Sequence, residues 1–261
     1  MVAAGNGAKK NEKLLTGVFQ FPMVAYTMSP SAGWVRTRLW EIIPLFVLLE
    51  ERCRSGNGPT MNAILAIHGS PRRGGNTSTL LNRAIEGARG GGAEVEEVVL
   101  RDLKMSPCLE LYGCKKTGRC VIRDDFQELC DKLVNCRGLM LASPIFFYAV
   151  SAHTKILMDR CQSLWVRKYW IDGVPFGERR GSRKGLFISA GATRGKKLFD
   201  GVLLSIRYFF DALDVEVWRT LLYRGLDLEG DVLSHPDYLE EAFRTGQELA
   251  RAVLGTDKEP G

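Results

Sequence analysis

Two stretches of this chain hold residue types whose spacing could do chemistry. The first, HGSPRRGGNTSTLL at 68–81, sets two arginines, three glycines and a run of hydroxyls directly after the apolar run AILAI. Backbone N–H groups in such a turn, followed by a helix N-terminus, make a cradle for an anion. Ser70, Thr77 and Ser78 add hydroxyls, Asn76 an amide and Arg72 a charged fork. That is the chemistry of a phosphomonoester site, although a plain polar strand–helix turn would share the composition. The run lacks the Lys-Ser/Thr pair of a nucleoside-triphosphate loop and the G-x-G-x-x-G of a dinucleotide loop. The second stretch, PCLELYGCKKTGRCVIRDD at 107–125, brings Cys108, Cys114 and Cys120 into thirteen residues, close enough for a thiolate site. The five-residue gaps between them fit the short knuckles of structural zinc poorly. His68, His153 and His235 make no metal-ligand pattern, and there is no G-x-S-x-G elbow, so no catalytic side chain is assigned.

These residues need elements to position them. From Met61 onward the hydrophobic pattern alternates regularly between strand and helix. Strands are expected at 62–67, 94–100, 138–143, 185–190 and 214–222. Helices are expected at 76–89, 124–135, 151–163, 196–212 and 236–253. Asn76 or Thr77 is the expected cap of the first of these, and Gly69, Gly74 and Gly75 are expected to supply unusual backbone angles. Residues 101–123 read as irregular and 164–183 as a long loop. Five apolar strands separated by helices predict an α/β domain with a doubly wound, five-stranded parallel sheet in three layers, flavodoxin-like in strand order. Ligands in such sheets sit beyond the carboxyl ends of the strands, which points to the loops 68–78, 101–123, 143–150 and 190–196.

Composition narrows the class. Charged residues make up 25% of the chain and the net charge is +6, with no long basic block, which argues against nucleic-acid binding. The longest apolar stretch, LWEIIPLFVLL at 39–49, is shorter than the roughly 20 residues a bilayer span requires. Seven cysteines without a secretory pattern are expected to be reduced, and the chain to be cytoplasmic. Residues 1–60 lack the alternation and read as an extension that is disordered or lies upstream of a true start at Met61. If that extension is real, its 34–52 part would form an amphipathic or dimer-contacting helix bent at Pro44. The domain is expected over 61–255, with a tail at 256–261.

The loop HGSPRRGGNT after a first strand resembles the phosphate loop of the NADPH-dependent FMN reductase family. A second match is in register with it: ASPIFFYAVSAHTKILMDR (142–160) is similar to the family's segment beside the flavin ring, with Lys155, Asp159 and Arg160 on the next helix. The resemblance covers essentially all of 61–250. It implies that Ser70, Arg72, Asn76, Thr77 and Ser78 hold the FMN phosphate and that Pro144, Ile145, Phe146 and Phe147 meet the ring and ribityl chain. It further implies that Gly191, Ala192 and Thr193 offer backbone N–H groups to the ring edge. Phe146 and Phe147 serve equally well as core or subunit contacts, and Lys155–Asp159 is an ordinary i,i+4 pair.

The cysteine stretch resembles that of the iron–sulfur flavoprotein branch of the same family, including its KKTG-x-C-x-I-x-DD ending. Four cysteines hold a [4Fe–4S] cluster there; this chain keeps Cys108, Cys114 and Cys120, and the remaining position is Leu111. A cubane cluster takes one ligand on each of four irons. The expectation is therefore no metal, with zinc or a cluster completed by Cys130, Cys136 or solvent as alternatives. The resemblance implies an FMN-dependent oxidoreductase that takes electrons from NADH or NADPH as co-substrate and passes them to a quinone, a flavin or another small acceptor. The alternative is a flavodoxin-like electron carrier for protein partners. Arg167, Arg179 and Arg180 are either nucleotide-phosphate contacts or solvated charges, the second being favoured. A homodimer or homotetramer is expected, with the aromatic 164–176 loop as its contact or lid.

Overall fold

The computed structural model describes residues 24–29, 33–38 and 63–255. The chain divides into two compact units, Met1–Pro59 and Thr60–Gly261. In the first, β1 (Val24–Ser29) pairs antiparallel with β2 (Gly33–Arg38). Residues 33–38 are thus a strand rather than the start of a helix, because the alternation of GWVRTR has period two. The rest of the expected helix lies outside the described residues, as does the tail at 256–261.

The second unit holds a parallel sheet of β3 (Ala63–His68), β4 (Glu94–Val99), β5 (Gly138–Pro144), β6 (Arg183–Gly191) and β7 (Val215–Arg224), in the order β4-β3-β5-β6-β7. Its helices are α1 (Asn76–Gly90), the short α2 (Cys114–Thr117), α3 (Phe126–Asn135), α4 (Ala152–Arg160), α5 (Gln162–Val166), α6 (Asp200–Ala212) and α7 (Pro236–Leu254). This is the α/β flavodoxin-like fold. Side chains of the central strands go alternately to opposite faces, which is why the strands read as unbroken apolar runs. Leu65, Ile67, Leu139, Leu141 and Phe187 enter one core with α3, α4 and α6. Ile64, Ala66, Met140, Leu186 and Ile188 enter the other with α1 and α7.

Helices α1 and α7 cross at closest approach where both are glycine. A Cβ on Gly87 would strike the Phe243 carbonyl, and one on Gly246 the Ala84 carbonyl. The segment 164–183, which reads as a long loop, is a loop only over 172–182. Trp165 lies in α5, and a π-type turn continues it over Arg167–Ile171. The extra residue of that turn breaks the helical period, which hides it from pattern reading. It also delivers Lys168 to a fully buried position, 3.0 Å from Asp214 and 3.2 Å from Asp211.

Candidate functional site

Parallel pairing levels the strand ends. His68 lies opposite Ala142, Pro144 opposite Ala190 and Gly191 opposite Arg224, so the following loops meet at one edge. The cleft there is lined by Ser70, Arg72, Asn76, Thr77, Pro144, Ile145, Phe146, Gly191 and Ala192. Nine of the twelve residues implied by the resemblance thus come together. Ser78, Phe147 and Thr193 do not line it.

The phosphate-type loop is held open from behind. Arg73 forks onto Asp102 with two bonds of 3.0 Å, and Arg101 donates to the Pro71 carbonyl at 2.6 Å. Arg72, by contrast, is exposed at the cleft and has no carboxylate partner among the described residues. Helix α1 begins at Asn76 with Gly75 as its N-cap and no side-chain cap, contrary to the capping role expected of Asn76 or Thr77. Asn76 instead ties the next wall: its amide donates to the Leu228 carbonyl at 2.8 Å and accepts from the Val232 N–H at 3.2 Å. The Ser78 hydroxyl turns back to the Arg72 carbonyl at 3.2 Å. What faces the cleft is therefore the uncapped first turn of α1, the Thr77 hydroxyl and the Arg72 guanidinium. Helix N-terminal N–H groups and a guanidinium both favour an anion.

The glycines serve space rather than angle, since none of Gly69, Gly74 and Gly75 has a positive φ. A Cβ on Gly69 would collide with Thr154 Oγ1 and the Ala142 carbonyl, and one on Gly75 would sit 3.0 Å from Ser70 Oγ. Helix α4 starts at that same point. Its N-cap Ser151 accepts from the Thr154 N–H at 3.2 Å, and its hydroxyl donates to the Gly69 carbonyl. Beside it Phe146 and Ala149 exchange backbone bonds of 3.0 and 2.9 Å across a tight turn. That turn puts Phe147 and Tyr148 at positive φ, with Phe147 fully exposed at its tip. Leu226 and Asp227, from the loop after β7, also line the cleft and escaped the sequence reading. The available signal was the fold itself, because the carboxyl end of the fifth strand must reach the same edge. The cleft is open to solvent and holds about 140 Å³, room for a phosphoryl-sized group.

The cysteine stretch is anchored by Arg160, whose side chain is wholly buried at the end of α4. Its donors reach Asp124 Oδ2 at 2.6 Å and Oδ1 at 3.0 Å, the Ser106 and Ile122 carbonyls at 2.9 and 3.1 Å, and Cys120 Sγ at 3.3 Å. Burial works to raise the Asp124 carboxyl pKa, but bonds from Arg160 and from the backbone of Ser106 and Phe126 hold it below the ordinary value. Cys108 and Leu111 are exposed, and burial pushes the Cys130 thiol up to about 11. Among the described residues no three His, Cys, Asp or Glu side chains stand together so as to hold a metal ion. Lys155 and Asp159 form the expected exposed pair at 2.6 Å. Arg180 is engaged with Asp172 and Asp214, which removes it from the candidates for binding a nucleotide phosphate. Among the described residues no helix is long and apolar enough to cross a membrane.

Comparison with known proteins follows this geometry. The family model for NADPH-dependent FMN reductase matches residues 62–212, more than half of the chain. An iron-sulfur flavoprotein of Methanocaldococcus jannaschii is 40% identical over 101 residues, 39% of this chain and 52% of that protein. Another, from Archaeoglobus fulgidus, is 37% identical over 106 residues, 41% of this chain and 54% of the relative. The chain spans about half the length of the curated relatives it matches. An NAD(P)H:quinone oxidoreductase from Methanothermobacter marburgensis superposes with a TM-score of 0.53 at 17% identity, over 72% of this chain and 98% of that one. At that identity the likeness is one of fold. The anion-ready cleft suits the phosphate of FMN. The donor set of the cysteine loop does not suit a four-thiolate cluster, since only Cys108, Cys114 and Cys120 are offered and Cys120 is tied to Arg160. On the match over 62–212, the chain belongs to the NADPH-dependent FMN reductase family.

Proposed function

We propose that this protein is an FMN-dependent oxidoreductase that takes electrons from NADH or NADPH and delivers them to a small acceptor such as a quinone or a flavin. One observation carries the reading: the uncapped N-terminus of α1, the Thr77 hydroxyl and the carboxylate-free Arg72 guanidinium face one cleft at the carboxyl edge of the sheet. FMN supplies the two-electron chemistry when bound. Arg72, Thr77 and the first turn of α1 bind its phosphate by charge and hydrogen bonds. Pro144, Ile145 and Phe146 form an apolar wall that orients the ring and excludes water from one side. Gly191 and Ala192 present backbone without side-chain bulk on the other. The exposed Phe147–Tyr148 turn is the surface we assign to a second copy of the chain in a homodimer or homotetramer.

The test is a visible spectrum of protein purified without oxygen, with extracted flavin, iron and sulfide quantified, followed by NADPH and NADH oxidation with menadione or FMN as acceptor. Stoichiometric flavin and steady turnover with a small acceptor support the enzyme. Bound flavin without turnover leaves a carrier of electrons, and a colourless protein that takes up no FMN defeats both.

A further inference from the structure

The cysteine stretch does more than cover the sheet edge. Between it and α5 with the following π-type turn lies a cavity of about 690 Å³, separate in its lining from the cleft by the phosphate-type loop. That volume falls in the range of small-molecule sites, roughly 300–1,000 Å³. Its walls are Leu111, Tyr112, Trp165 and Trp170, with Lys115 between the segments. The Lys115 ammonium stands 3.9 Å from the Tyr112 ring centroid and 5.5 Å from that of Trp170. No carboxylate pairs with it among the described residues. The carboxylates on the rim are otherwise engaged: Glu110 accepts from the Tyr112 hydroxyl at 3.4 Å, and Asp159 is paired with Lys155 at 2.6 Å. Backbone strain marks the same wall, with Glu110 and Tyr112 at φ of 50° and 56°. Such conformations cost of order 1–3 kcal/mol each and persist where the surroundings impose them.

We propose that this cavity binds a planar aromatic molecule bearing a carboxylate or similar anion. Flat apolar ligands stack on exposed indole and phenol faces. A cationic ligand would meet a cage already filled by Lys115, whereas an anion would pair with that ammonium and keep the cation–π contacts. The position that Leu111 holds is an apolar surface for the ring. The proposal needs neither bound FMN nor turnover, so it stands apart from the function proposed above. Along α4, Ser151 behind the phosphate-type loop and Asp159 at the cavity are about 12 Å apart at the helical rise of 1.5 Å per residue, which keeps the two sites separate.

The test is calorimetric titration of the full chain, supplied with FMN, with naphthalene-2-carboxylate and its uncharged isostere naphthalene-2-carboxamide. One saturable site is expected for the carboxylate, with the carboxamide about tenfold weaker, the factor one partly desolvated ion pair supplies. Lys115→Gln should bring the carboxylate down to the carboxamide level, whereas Lys115→Arg should keep it within about threefold. FMN uptake should be the same in both variants. The proposal is overturned by absence of saturable heat, by equal binding of the two naphthalenes, or by full binding to Lys115→Gln. Displacement of FMN by the carboxylate also overturns it, since the ligand would then sit in the cleft.

Discussion

At the scale of single residues the cleft separates binding from building. The Arg72 side chain makes no hydrogen bond or ion pair among the described residues, its loop contacts being through the backbone, so Arg72→Ala should leave the melting temperature unchanged. It should weaken FMN by about 10–100-fold, the worth of one hydrogen bond to a charged group, roughly 1.5–3 kcal/mol; flavin fluorescence titration reads this directly. Asn76→Ala should behave the other way round in part. Its amide joins the first turn of α1 to Leu228 and Val232, so the variant should lose about 1–2 kcal/mol of stability in a denaturant melt as well as affinity. The sequence named both residues through a resemblance but could not tell them apart. Which polar side chain faces a ligand and which one laces two loops together depends on a partner about 150 positions away in the chain, a distance no local pattern encodes.

Elements show a second kind of legibility. The central strands β3, β5 and β6 were readable because burial on both faces leaves no ambiguity in an unbroken apolar run, while the half-exposed edge strands β4 and β7 and the long helices were readable from their periodic apolar residues. The π-type turn at Arg167–Ile171 and the inward role of Arg160 were not readable. One breaks the period, and the other is a buried charge whose partners, Ser106 and residues 120–124, lie about 40–50 positions earlier in the chain. Arg160→Met should destabilise the protein by about 3 kcal/mol, since the partly buried Asp124 carboxylate would remain without its cation. Protease cleavage within 104–124 should accelerate before global unfolding. The same clasp should respond to acid. Asp124 titrates below its unfolded value of 3.8, so its contribution is complete above that pH and is lost as pH falls through the depressed folded value. Cleavage rates measured from pH 6 downward should rise only below about 3.8 in the wild type.

For the molecule as a whole, the contact pattern divides the chain between Pro59 and Thr60. A fragment of residues 60–261 should fold and take up FMN with the affinity of the full chain, as measured by the same titration. Truncation from the other side should have the opposite effect. Helix α7 lines neither cavity, yet it presses on α1 at Gly87 and Gly246 with no room for a Cβ. The aim of the α1 N-terminus is thereby set by residues 236–254. Gly246→Val should push the two helices apart at a cost of about 1–3 kcal/mol and lower anion affinity without touching the cleft. Sequence drift at the α1–α7 crossing is thereby coupled to ligand affinity: variants that share every lining residue of the cleft should still differ in how tightly they hold an anion.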